Sequence, residues 1–226
     1  MSDSLARRTL ARAAARLAVD ASCTLPTLAL FTDDDRLADP LAAARALPRG
    51  SMVVVRSRDG ARRAALTRAM VDLARTRALI VLVAGDGALA AASGADGLHL
   101  PESRLGEVAA WRARRGFLIT ASVHSLAGLA KAKSVDAVFL SPVFPTASHP
   151  GRAALTAVRA NAIARAARLP VYALGGVDAC NAGRLSSFAG IAAIGALDVQ
   201  LQMQERRIHA DARRAVIESP GIAVIT

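Results

Sequence analysis

The chain has 226 residues, with 29 Lys+Arg against 18 Asp+Glu for a formal net charge of +11, and it is 53% hydrophobic but only 3% aromatic. So apolar a composition excludes disorder, and no uncharged run reaches the ~18 residues of a membrane-spanning helix; the longest, residues 116–130 and 137–151, contain polar and helix-breaking residues. Two cysteines, Cys23 and Cys180, make neither a disulfide framework nor a metal-ligand cluster, which points to a reducing, cytoplasmic compartment.

Residues 4–19 are Arg- and Ala-rich and amphipathic, with Leu5, Leu10, Ala13, Ala14 and Leu17 roughly on one face. The composition is that of a transit peptide, but the preferred reading is an extra helix packed on the main domain. This places a helical extension over 1–24 ahead of a domain over 25–226. Short apolar runs then alternate with helical patterns. Strand 27–32 (TLALFT) precedes helix 35–47, and strand 52–56 (MVVVR) precedes helix 61–76. Strand 79–83 (LIVLV) leads to a short helix 87–93, and strand 97–100 (GLHL) to helix 103–115. Strand 118–122 (LITAS) is followed by helix 126–133, and strand 137–140 (AVFL) by a turn-rich segment 141–152 and helix 154–168. Strand 171–174 (VYAL) with helix 179–188, then strand 191–194 with a last helix 197–217, complete the pattern.

Near-continuous apolar strands alternating with helices form a buried parallel sheet. Eight such units in about 200 residues fit one α/β domain, a (β/α)8 TIM barrel, with a doubly wound open sheet as the alternative. In a barrel, function sits on the loops after the strands' C-terminal ends. After strand seven stands Gly175-Gly176, and after strand eight Ile194-Gly195; small residues there let backbone N–H groups approach a phosphate. The sixth loop, 141–152, carries Thr146, Ser148, His149 and Arg152 as donors. In the second strand, Val54, Arg56 and Arg58 share one face by alternation; if that face is the interior, two guanidiniums reach the mouth. After strand five come Ser122 and His124, the latter either a general acid or base or a hydrogen-bonded structural histidine. His99, within strand four, reads as structural, and His209 as a surface residue.

Lysine occurs only at Lys131 and Lys133, so 27 of the 29 cations are arginine. They are dispersed along the chain rather than massed, which favours a solvated helical surface over a nucleic-acid partner. So few aromatics also leave little platform for stacked bases.

Together, the segments Ala95–Leu100, Ser122–Ser125, Ser141–Thr146 and Tyr172–Val177, in that order, resemble the thiamine phosphate synthase family, which includes the TenI thiazole tautomerase. The resemblance runs from about Leu25 to Leu197. It implies the barrel fold and small phosphorylated thiazole and pyrimidine substrates. The family's synthase joins hydroxymethylpyrimidine diphosphate to thiazole phosphate, releasing pyrophosphate, with magnesium bridging phosphate oxygens. By resemblance, Thr146, Ser148, Gly176, Ile194 and Gly195 match the thiazole-phosphate site, and Ser122 matches a retained serine. The diphosphate half departs from the family. Arg56 is kept, Arg58 replaces a lysine, His149 replaces another, and Arg104 stands where the second metal-binding aspartate belongs. The first metal-binding aspartate is also lost, so no ordinary magnesium site is expected; only Asp86 and Glu102 remain nearby as weak candidate ligands.

Three functions stay open from sequence: a divergent synthase in which Arg56, Arg58 and Arg104 replace the metal's charge, a tautomerase using His124 as base, and a non-catalytic phosphate-ligand-binding homologue. No membrane or nucleic-acid partner is expected. The apolar tail 221–225 either caps the barrel or meets a partner subunit, so a homo-oligomer is allowed.

Overall fold

The structure is a computed structural model, which describes residues 3–17, 24–146 and 153–194. The final helix expected over 197–217, the apolar tail, Cys23 and His209 lie outside the described residues.

Eight strands pair in parallel and in chain order, and β1 (Leu28–Phe31) pairs with both β2 (Met52–Val55) and β8 (Gly190–Ala193), which closes the barrel. Between them run β3 (Ile80–Ala84), β4 (Gly97–Leu100), β5 (Leu118–Val123), β6 (Ala137–Leu140) and β7 (Val171–Ala173). Closure rules out the open doubly wound sheet. The runs rich in Val, Ile and Leu make these strands because branched side chains pack well on both faces of a buried sheet.

Alternation sorts their side chains into two layers. Ala29, Phe31, Met52, Val54, Leu82, Ala137, Phe139, Tyr172 and Ala192 fill the barrel interior. Their strand neighbours, such as Leu30, Val53, Val81, Leu98, Val138 and Ile191, face the surrounding helices. The interior leaves no room beside Tyr172: a Cβ on Gly190 would stand 2.5 Å from its ring carbon Cε1. The Tyr172 hydroxyl donates to the Pro26 carbonyl, which satisfies its one buried polar group.

Four of the described helices start where a short polar side chain accepts from an unpaired N–H. Asp39 caps α2 (Pro40–Arg45), Asp59 caps α3 (Gly60–Arg77), Asp86 caps α4 (Gly87–Ser93) and Ser125 caps α6 (Leu126–Lys131). The expected helix 103–115 divides into a 3₁₀ turn, Glu102–Glu107, within which Arg104 takes non-helical dihedrals, and α5 (Val108–Arg112). Helix 154–168 shortens to α7 (Ala157–Ala166). The expected helix 179–188 is only a 3₁₀ turn, Ala182–Arg184. There Asp178 and Asn181 bond to the local backbone instead, the usual competition between such side chains and a helix.

The N-terminal helix α1 (Asp3–Leu17) packs on the outer face of β8 and β1. Leu10 and Ala14 are fully buried and join the outer core cluster. Among the described residues, no helix is long and apolar enough to cross a membrane.

Because Leu10 is inside the core, Leu10→Ala should lower unfolding free energy by about 2–5 kcal/mol. Chemical denaturation of the full chain measures this; unchanged stability would mean that α1 is an appendage rather than part of the packed domain.

Candidate functional site

At the C-terminal end of the strands a cavity of about 710 Å³ opens, lined by residues from the loops after β1, β2, β3, β4, β5, β6, β7 and β8. Its floor is the top of the packed interior. Phe31, His99 and Phe139 meet there edge to face, with ring centroids 4.9–5.3 Å apart.

His99 alternates inward from β4 and is 5% exposed. Its Nδ1 lies 2.9 Å from Thr120 Oγ1, and its Nε2 lies 2.9 Å from Ser122 Oγ. Burial, reinforced by the nearby Arg56 charge, pushes its pKa down to about 3, so the ring is neutral near pH 7. A neutral ring has one N–H, so its tautomer decides whether Ser122 accepts from His99 and can donate into the cavity, or the reverse. The sequence reading made His99 structural; the structure gives it both tasks, since it packs the floor and lines the cavity.

On the next strand end, His124 also lines the cavity. Its Nδ1 is 2.8 Å from the Ser141 carbonyl, which can only accept. Nδ1 therefore carries a hydrogen. Its backbone N–H donates to Glu102 Oε2 at 2.9 Å.

The sixth loop is zipped onto the seventh strand's extension by Val143 N–H to Leu174 O and Phe144 N–H to Gly175 O, both 3.0 Å. This presents Thr146 to the cavity beside Gly175 and Gly176. Gly176 needs to be glycine on two counts: its φ is +65°, and a Cβ would meet Pro145 O at 2.3 Å. Asn181 Nδ2 holds its carbonyl at 2.7 Å. Ile194 lines the same wall, while Ser148, His149 and Gly195 lie outside the described residues.

The opposite wall departs from expectation. Arg56 lines the cavity, but Arg58 does not. Strand β2 ends at Val55, and alternation holds only in extended backbone. Asp34 instead accepts the Arg58 N–H at 2.8 Å, and Asp35 takes its Nη2, leaving the side chain 77% exposed. Arg104 is likewise outside the cavity, bonded to Gly85 O at 2.7 Å and paired with Glu107. In their place stands Arg36, from the loop after β1. It and Arg56 both bind the Asp33 carboxylate. Burial works against that carboxylate, but the hydrogen bond and charge of Arg36, the charge of Arg56 and the Asp35 backbone N–H hold its pKa well below the usual carboxylate range. The run Asp33-Asp-Asp-Arg36 after the first strand was the available signal, because a barrel's first loop reaches the site like any other.

Neither weak candidate ligand faces the cavity. Asp86 Oδ1 caps Leu89 N–H and Oδ2 pairs with Arg63, while Glu102 is taken by the His124 backbone. Among the described residues, no group of three or more His, Cys, Asp or Glu could hold a metal ion. The donor set does not fit the magnesium that the resemblance implies.

The sequence profile of the thiamine monophosphate synthase family matches residues 28–197. A protein of Aquifex aeolicus described as a thiamine-phosphate synthase 2 is 36% identical over 91 residues, covering 39% of this chain and 49% of that one, so the match spans about half of that relative. The thiamine-phosphate synthase of Chlorobium luteolum is 32% identical over 182 residues, 76% of this chain and 85% of its own. Among solved structures, the thiamine phosphate pyrophosphorylase of Pyrococcus furiosus superposes with a TM-score of 0.64 at 25% identity, covering 82% of this chain and 96% of that one.

The lowered His99 pKa carries a sign for stability. Between about pH 6.5 and 3 the unfolded chain binds a proton that the folded chain does not, so stability falls as pH falls through that window, by about 1.4 kcal/mol per pH unit at most. His99→Gln should flatten this slope in denaturation series at stepped pH. A slope equal to the wild type's would place His99 outside the buried network.

Proposed function

Since the chain belongs to the thiamine monophosphate synthase family, we propose that it is a transferase joining hydroxymethylpyrimidine diphosphate to thiazole phosphate. One observation carries this reading: a single cavity has two anion-receptive walls on opposite sides. Strands four apart face each other across an eight-stranded barrel, so Arg56 after β2 stands across from the loop after β6. One wall offers Arg36 and Arg56; the other offers the Thr146 hydroxyl and the Gly175-Gly176 backbone. A cavity of about 710 Å³ is within the range of small-molecule sites.

In this reaction the methylene C–O bond of the pyrimidine diphosphate breaks, and its electron pair leaves with pyrophosphate. The lone pair of the thiazole nitrogen forms the new C–N bond, and no proton need be removed. The chain's task is to orient the two substrates and to stabilise charge accumulating on the leaving group. The Gly176 wall and Thr146 hold the thiazole phosphate, with its ring directed over the floor at Phe31 and His99. Arg56 meets the departing diphosphate, charge-assisted and fixed in place by Asp33. Ser122, oriented by His99, supplies a hydroxyl between the two walls.

His124 has no necessary part in that step, yet it lines the cavity. This favours a second reading, proton transfer on the thiazole by a tautomerase that needs only the Gly176 side of the pocket. Binding of thiazole phosphate with neither activity would mark a non-catalytic homologue.

Incubation of the chain with both substrates should yield thiamine phosphate, and Arg56→Ala should slow it by about 10²-fold or more. Absence of product under all conditions would sink the transferase reading. Thiazole isomerisation abolished in His124→Ala would then select the tautomerase. Gly176→Ala, blocked by strain and by the Pro145 carbonyl, should weaken thiazole-phosphate binding in either case, as read by calorimetry.

A further inference from the structure

We propose that the diphosphate wall of this cavity works without a divalent cation, through a guanidinium pair, Arg36 and Arg56, braced on the one carboxylate of Asp33. The proposal rests on the transferase reading and specifies how its leaving group is held.

The first ground is what the nearby carboxylates are doing. A magnesium ion that serves phosphates is ordinarily held by one or two protein carboxylates in near-octahedral geometry. Asp86 is spent on a helix cap and an ion pair with Arg63, at 2.9 and 3.1 Å. Glu102 is spent on the His124 backbone, and its carboxyl lies against Gly128, where a Cβ would meet it at 2.6 Å. Freeing either would leave a helix end or a backbone N–H without its partner. Asp33, behind the wall, is occupied by two arginines and by the backbone N–H groups of Asp35 and Arg36, and Asp178, which lines the cavity after β7, accepts the Cys180 and Asn181 N–H groups on its Oδ1.

The second ground is what stands in place of the metal. Arg36 Nε and Nη2 lie 3.1 and 2.8 Å from the two Asp33 oxygens, a two-point contact that fixes the guanidinium plane. Arg56 reaches the same carboxylate with one Nη2, and its backbone N–H is pinned to Thr32 Oγ1 at 2.7 Å. Two guanidiniums share the one Asp33 carboxylate at the wall. Both arginines line the cavity, whereas the Asp33 side chain behind them is only 10% exposed. Guanidinium is always charged and carries planar donors matched to phosphate oxygens. It also needs no loading step. Holding it on a buried carboxylate removes the rotamer freedom that a lone surface arginine would lose on binding. The wall's charge is therefore built into the chain, where in a metal site it would arrive with the substrate.

Calorimetric titration of the full chain with inorganic pyrophosphate tests this, run once in EDTA and once in excess magnesium. Saturable binding in EDTA that magnesium does not strengthen is the expected result. Arg36→Ala and Arg56→Ala should each weaken it by roughly tenfold or more, and Arg58→Ala should leave it unchanged. Binding that appears only with magnesium overturns the proposal, as does wild-type affinity in Arg36→Ala. If Arg36→Ala melts early, Arg36→Lys carries the test: it keeps a charge but not the planar fork, so wild-type affinity in it overturns the guanidinium role. Thiazole phosphate titrated in parallel separates the two readings. If it binds and pyrophosphate does not, this proposal fails alone; if neither binds, the transferase reading fails with it.

Discussion

Closure of the barrel is the constraint on which everything else depends. Once β1 pairs with β8, the interior becomes a fixed volume that side chains must fill. In a chain so poor in aromatics, three of the few, Phe31, Phe139 and Tyr172, are placed there. The small residues Ala29, Ala137 and Ala192 make room for them, and Gly190 lies against the tyrosine ring. That filling sets the height of the cavity floor. It also buries His99, and burial in turn makes the imidazole neutral and turns it into a fixed hydrogen-bonding link between Thr120 and Ser122.

The electrostatics above the floor are arranged around a second fixed point, the Asp33 carboxylate. It pulls Arg36 and Arg56 onto one wall, and the Arg56 charge then adds to the burial that keeps His99 unprotonated. Asp34 and Asp35 take Arg58 out of the cavity at the same time. Three successive aspartates thus sort the neighbouring arginines into those that line the cavity and those that face water. The opposite wall depends on backbone geometry rather than charge: the zipped sixth and seventh loops and a left-handed Gly176.

Several features were legible before folding. The alternation of β-branched runs with amphipathic stretches specified eight strands, and observed bounds agree within a residue or two because buried parallel strands need continuous apolar sequence. The places of His124, Thr146 and Gly176 on the cavity followed from their position in the loops past strand ends, and that of Ser122 from its position at the C-terminal end of β5. Helix 179–188 misled because its composition suits a helix while Asp178 and Asn181 claim the backbone locally. Arg58 misled for a different reason: it lies three residues beyond the end of β2, where alternation no longer holds. Arg104 matched the family's position in the chain, yet it turned to Glu107 and the Gly85 carbonyl.

What the sequence determined by itself was the periodicity, and with it the order of strands, the inward and outward layers, and the loops able to carry chemistry. These are local properties, set by spacing along the chain. Which charged side chains enter the cavity was decided only by the tertiary structure. Asp33 and Arg56 are 23 residues apart and meet because β1 and β2 are neighbours in a closed sheet. An arginine's long side chain goes to whichever carboxylate or carbonyl the fold brings within reach, and that depends on distances that no single segment contains.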